Sequence, residues 1–186
     1  MAKPKQFPEQ SQSQPGKEHK MNPEPEIIRS TYKGSEKLKG KIALITGGDS
    51  GIGRSVAVHF ARESASVAII YLEEDKDALE TKKLVEAENQ KCLVIKGDLK
   101  DSEFCKKAVK KCIDTFGKLN ILVNNAAMQF SKNALEEISR KQIETVFATN
   151  IFSIFEITKA ALPHLSEGDT IINTTSVTSF RGSTHL

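Results

Sequence analysis

Lys41-Ile-Ala-Leu-Ile-Thr-Gly-Gly-Asp-Ser-Gly-Ile-Gly-Arg54 is the stretch on which the fold turns. Ile42 to Ile45 is a short apolar run, the pattern of a strand buried on both faces. It stops at Thr46-Gly47 and resumes from about Gly51 as an apolar-periodic helix over 51–63, with Ile52, Val56 and Phe60 four apart. Gly47, Gly48, Gly51 and Gly53 fill the turn, where glycine takes left-handed backbone or lets another group approach the chain. A glycine turn opening a helix leaves backbone N–H groups unpaired at the positive end of the helix dipole. Those groups suit a phosphate or pyrophosphate. The spacing is Gly-x-x-x-Gly-x-Gly rather than Gly-x-Gly-x-x-Gly, and no Gly-Lys-Ser/Thr marks a triphosphate loop. The rival reading is a turn whose glycines serve packing alone. Four glycines between positions 47 and 53 cost backbone entropy and argue against it.

Outward from this turn, strand and helix patterns alternate. Ser66-Val-Ala-Ile-Ile-Tyr71 reads as a second strand before a charged helix at about 75–89. A third strand, 91–96, leads to a helix at 101–116, and a fourth, 119–123, ends at Asn124-Asn125-Ala126-Ala127. In the helix at 101–116, Cys105, Ala108, Val109, Cys112 and Phe116 make one apolar face. Lys106, Lys107, Lys110 and Lys111 make the wet face, so this charge run is a solvated surface and the two cysteines are core thiols. A long helical region follows at 139–165, with Ile143, Val146, Phe147, Ile151, Ile154, Phe155, Thr158 and Ala161 expected inward. A fifth strand, 170–174, ends at Thr175-Ser176. The pattern predicts an α/β fold, a doubly wound parallel sheet with helices on both faces. Ligands bind such sheets beyond the carboxyl ends of the strands. The glycine turn, Tyr71, Asp98, Asn125 and Ser176 all fall there, on one rim.

The chain has 186 residues, enough for one domain and a tail. Residues 1–40 carry eight Lys/Arg against five Asp/Glu, and residues 41–186 carry nineteen of each. A neutral domain with a weakly basic tail gives no reason to invoke nucleic acid or a membrane surface. Cys92, Cys105 and Cys112 lack Cys-x-x-Cys spacing and read as free thiols of a cytoplasmic protein. His19, His59, His164 and His185 are too scattered for a metal site. Residues 1–38 hold five of the six prolines and four glutamines between Gln6 and Gln14. This segment is expected to be a disordered or loosely docked tail, disordered at least to Asn22. Ile27, Ile28 and Tyr32 are read as linker in preference to a docked segment. The tail lacks the apolar core of a secretory signal, and no run approaches a membrane span.

Thr46-Gly-x-x-x-Gly-Ile-Gly53, Asp98-Leu99, Asn124-Asn-Ala-Ala127, Asn150 and Thr175-Ser176 resemble the short-chain dehydrogenase/reductase family in order and spacing. The resemblance covers about 40–186 and implies a Rossmann domain over 39–186, incomplete at its C-terminus. The Gly-Gly-Asp-Ser-Gly-Ile-Gly-Arg wording and the Pro-rich extension look like a bacterial subgroup that includes general-stress oxidoreductases. By this resemblance Gly47, Gly51 and Gly53 shape the turn over a coenzyme pyrophosphate, with Asp49 and the amides of Ser50 and Ile52 beside it. Asp98 bonds the adenine amino group with Leu99 next to it, while Asn125, Ala126 and Ala127 line the ribose and nicotinamide approach. Ala127 stands where the family has glycine. Asn150 holds a water at a helix interruption, and Ser176 bonds the substrate oxygen. An ordinary buried hydrogen bond is the rival for Asn150, and a turn cap the rival for Ser176.

The coenzyme implied is NAD or NADP, with a lean to NAD. Tyr71 stands where an acid would bond the ribose 2′-hydroxyl, and Ser50 stands where a base would meet a 2′-phosphate. Glu73, Glu74 and Asp75 repel a 2′-phosphate, and Arg54 is expected to offset part of that. The implied partner is a small alcohol or carbonyl substrate, in a parent enzyme that is a homo-oligomer. The family's acid/base tyrosine lies about thirteen residues after the serine, with a lysine about four further on. That position falls past Leu186, so the chain reads as truncated. The reading is an NAD(P)-dependent oxidoreductase, or else a catalytically inactive dinucleotide-binding fragment. Methyl transfer on a similar sheet explains the glycines but not Asn125, Asn150 and Ser176 together. An exposed last strand and uncovered apolar helix faces are expected of such a chain.

Overall fold

The apolar run at the head of the domain forms β1 (Ile42–Thr46), all of it buried. A computed structural model describes Pro8, Gln10, Gln12 and residues 17–182. β2 (Ser66–Tyr71), β3 (Cys92–Lys96), β4 (Ile121–Asn124) and β5 (Thr170–Asn173) complete one sheet in the order β3-β2-β1-β4-β5. Every pairing is parallel, with Leu44 set between Ala68 and Leu122. The winding therefore reverses between β1 and β4, and a crevice opens beyond their carboxyl ends.

Helices cover both faces, which is why β1 carries no polar side of its own. Ala43 and Ile45 pack with Ala57, Val58 and Ala61 of α1 (Gly51–Arg62) and with Ala78 and Val85 of α2 (Asp75–Ala87). Ile42 and Leu44 point the other way, to Cys105, Val109 and Cys112 of α3 (Ser102–Phe116). Asp101 caps α3 by accepting the Glu103 amide at 2.9 Å, and Gly117 ends it at φ +80°. The lysines of α3 face solvent and the cysteines are buried, as the periodicity requires. Burial pushes the thiols of Cys92 and Cys112 up to about 12 and that of Cys105 to about 11.

Two helix faces differ from their sequence reading. In α1 the buried face is Gly53, Arg54, Ala57, Val58 and Ala61, whereas Ile52 is 67% exposed. The small residues face the sheet because the helix packs too close for large ones. The long helical region divides into α4 (Arg140–Phe147), a π-helical turn (Ala148–Phe152) and α5 (Ser153–Ala161). Ser139 and Gln142 form a reciprocal cap at the start of α4. Only Ser153, Ile157 and Ala161 are buried in this region, on the side toward α3. Ile143, Phe147, Ile151 and Phe155, expected inward, stand 43%, 50%, 43% and 66% exposed. The wide turn adds about one residue to the repeat, so apolar positions before and after it no longer share a face. β5 is mostly exposed, as expected of the edge strand.

The tail is docked where it is described. Residues 17–22, expected to be disordered, include a turn of 3-10 helix at Glu18–Lys20 with Glu18 buried. The disorder expected for most of residues 1–16 lies outside the described residues. Ile27 and Ile28, read as linker, are half-buried against the α1 side of the core. The Tyr32 hydroxyl donates to the Glu63 carboxylate, and Ser35 and Lys37 amides reach its other oxygen at 3.0 Å each. Among the described residues no helix is long and apolar enough to cross a membrane.

Candidate active site

The turn between β1 and α1 is held open by its glycines and closed from behind by β4. Gly47 has φ +62° and Gly51 φ +52°. A Cβ on Gly53 would come within 1.9 Å of the Gly47 carbonyl oxygen, so the helix start sits directly on the turn. Thr46 Oγ1 accepts the amides of Asn125 at 2.9 Å and Ala126 at 3.0 Å. The Asn125 side-chain amide donates to the Thr46 and Gly47 carbonyls at 3.2 Å each. These bonds lock the end of β4 against the turn and fix the width of the crevice.

A cleft of about 1000 Å³ runs along the carboxyl ends of the strands. That is the upper end of the ordinary range for ligand sites. In strand order it is bordered by Asp98 and Leu99 beyond β3 at one end, then by Tyr71 at the end of β2 and by Gly47, Asp49, Ser50 and Ile52 of the turn after β1. Asn125, Ala126 and Ala127 follow, then Asn150 and Ser176 at the other end. Gly51 and Gly53, also predicted for the site, shape the turn without bordering the cleft. A dinucleotide fits this cradle: a Cβ on Gly51 would meet nothing within 4 Å, and the Ile52 and Gly53 amides of the first α1 turn have no partner within the helix.

The polar groups differ in what they have left to offer. The Tyr71 hydroxyl donates to Asp75 at 2.6 Å, and burial together with that bond pushes the phenol up to about 12. Lys96, bonded to Asp75 at 2.8 Å, holds that carboxyl below its usual value, with Tyr71 adding to the effect. Asp98 accepts the Lys100 amide at 2.9 Å. Asn150, in the π-helical turn, spends its side chain on one residue. Its oxygen accepts the Met128 amide and its nitrogen donates to the Met128 carbonyl, both at 2.8 Å. Ser176 Oγ accepts the Thr178 amide at 3.2 Å and the Thr178 hydroxyl at 2.9 Å, the arrangement of a turn cap. Buried Asn124 Oδ1 has no partner among the described residues, although its amide nitrogen bonds Thr158 and Asn173.

Sequence reasoning missed a buried cluster behind the glycine turn. Glu18 accepts the Gly51 amide and lies 2.6 Å from Arg54 Nη1. Arg54 is 5% exposed and also donates to Thr81 Oγ1, the Asp49 carbonyl and the Asp77 carbonyl. Arg54, expected to offset acidic repulsion of a 2′-phosphate, thus has an acceptor on each of its side-chain nitrogens. His19 bonds the buried Asp77 at 2.7 Å, and Asp77 accepts the Glu18 amide at 2.9 Å. Burial raises Asp77, but the His19 and Glu18 bonds outweigh it and its carboxyl titrates low. Asp49 goes the other way, raised by burial and by the neighbouring Asp77 and Glu18 charges. Gln12 also borders the cleft, held by the Lys17 backbone at 2.7 and 3.1 Å. Nothing in a single sequence couples a tail acid to a helix arginine.

Comparison with known proteins agrees with this geometry. A family model described as short chain dehydrogenase matches residues 41–186. The chain is 55% identical to the uncharacterized oxidoreductase YhdF of Bacillus subtilis over 97% of its own length and 63% of that protein. It is 51% identical to General stress protein 39 of the same organism, over 98% of its length and 64% of the relative. A short-chain dehydrogenase from Burkholderia cenocepacia, solved in complex with NADP, superposes with a TM-score of 0.76 at 33% identity, covering 78% of this chain and 59% of that one. The chain thus spans about 63% of the length of the first relative it matches. It belongs to the short-chain dehydrogenase family.

Proposed function

We propose that this chain forms the coenzyme-binding part of an NAD(P)-dependent oxidoreductase that interconverts a small alcohol and its carbonyl. The single observation that supports it most is the glycine turn opening α1 onto a cleft of about 1000 Å³ at the switch between β1 and β4. The oxidoreductase relatives and the NADP complex of the Burkholderia protein support the same reading. A bound nicotinamide supplies or accepts the hydride. The Ser50 and Ile52 amides hold the pyrophosphate, Asp98 and Leu99 the adenine, and Asn125, Ala126 and Ala127 the nicotinamide ribose side. The Ser176 hydroxyl, which borders the cleft, orients the substrate oxygen. Asn150 clamps the Met128 backbone and so keeps the loop after β4 in register with the helix that carries it. Neither tyrosine of this chain is the proton donor, because Tyr32 is committed to Glu63 and Tyr71 to Asp75. The acid/base of the full reaction is the family's tyrosine, activated by a lysine.

Titration of NADH fluorescence against wild type and Gly51→Asp tests this reading. Aspartate tolerates the left-handed backbone, and the position has open space for a Cβ. The variant is expected to fold and to bind about tenfold more weakly, because a carboxylate between the Ser50 and Ile52 amides repels the pyrophosphate. Equal affinity would remove the turn from the site. No saturable NADH or NADPH binding by wild type would overturn the coenzyme reading itself.

A further inference from the structure

The docked tail places a carboxylate where an anionic ligand group would find its partners. The Gly51 amide lies at the positive end of α1, and Arg54 lies one turn along the same helix. Together they form an anion cradle, and Glu18 fills it from residues far back in the chain. The cradle lies behind Asp49 and Ser50, which border the cleft: Arg54 donates to the Asp49 carbonyl at 3.0 and 2.8 Å, and Gly51 follows Ser50 in the chain. A coenzyme with a ribose 2′-phosphate needs a cation there, and every nitrogen of the Arg54 side chain already has an acceptor. The acids outnumber the bases around it: Glu18, Asp49 and Asp77 face one guanidinium, with His19 on the far side of Asp77. The other cations near this end are paired as well: Lys17 with Glu74 at 3.0 Å, Lys96 with Asp75 at 2.8 Å and Lys100 with Asp98 at 3.2 Å.

We propose that Glu18 is a coenzyme-specificity residue: its carboxylate stands in for a 2′-phosphate on Arg54 and the Gly51 amide, and so selects NAD over NADP. The tail is then part of the coenzyme site and not a passive extension. The selectivity is repulsive as well as competitive, because a 2′-phosphate would have to displace a buried, charge-paired carboxylate. Removing that charge frees one guanidinium nitrogen and one helix amide at a single stroke. This inference rests on the coenzyme reading above, and its test separates the two.

Dissociation constants for NADH and NADPH are measured by fluorescence for wild type, Glu18→Gln and Glu18→Gln/Arg54→Met. Wild type is expected to bind NADH more tightly. Glu18→Gln is expected to tighten NADPH about tenfold with NADH nearly unchanged, and the double variant to lose that gain. The gain should shrink at high salt, since it is electrostatic. A wild type that prefers NADPH, or an unchanged NADPH-to-NADH ratio in Glu18→Gln, would overturn the role of Glu18 while leaving coenzyme binding intact. Binding of neither coenzyme by wild type would instead sink the coenzyme reading and this inference with it. A measurement on wild type alone covers the case of a misfolded variant. Adenosine 5′-monophosphate should displace NADH better than adenosine 2′,5′-bisphosphate does, and the reverse order would refute the proposal.

Discussion

At the scale of single residues, carboxylates fix where the tail goes. Glu63 collects the Tyr32 hydroxyl and the Ser35 and Lys37 amides, and those bonds lower it from 4.5 to about 2. A depressed carboxylate contributes stability that is full above its unfolded value and is lost as pH falls through the folded one. The docking of residues 32–37 should therefore loosen between about pH 4.5 and pH 2. Hydrogen exchange at the Ser35 and Lys37 amides would show it, with protection falling across that window. Glu63→Gln should expose both amides at every pH, and a variant still protected at neutral pH would count against this account. Glu18 does the comparable job at the other end of α1, where it meets the Gly51 amide and Arg54 behind the glycine turn. None of these roles is legible from residue type, since acids in a proline-rich tail read as solvated.

Among elements, the decisive contact is α1 against the turn that precedes it. Gly53 has no room for a side chain, because the Gly47 carbonyl would lie 1.9 Å from its Cβ. Gly53→Ala should therefore push the helix off the turn and cost about 1–3 kcal/mol, read as a lower urea midpoint at unchanged slope. Coenzyme affinity should fall with it; a variant of wild-type stability would show that the helix is free to move. The glycine spacing made the turn and helix legible beforehand, because backbone constraint is a local property. The faces of the helices were less legible. Ile52, Val56 and Phe60 marked the period of α1 correctly, but the sheet takes the smaller neighbours Gly53, Ala57 and Ala61. The π-helical turn likewise split an apolar stripe that looks continuous when wound at the regular repeat.

On the scale of the whole molecule, one sheet with two covered faces places the site and leaves one apolar surface open. Phe147, Phe152, Phe155 and Leu162 are 50%, 59%, 66% and 54% exposed. Clustered apolar exposure of this kind favours association. Sedimentation velocity on this chain should show mass rising with concentration, and Phe155→Lys should reduce the rise. A strictly monomeric wild type would show that the face is inert.

The sequence by itself determined the parallel α/β sheet, the glycine turn and the set of residues along the strand ends. Each follows from local periodicity or from chain order, and neither depends on distant contacts. Only the tertiary structure decided that Glu18 meets Arg54, 36 positions away, and which helix faces are covered. Such pairings are fixed by how elements pack, and packing across long separations leaves no periodic mark on the chain.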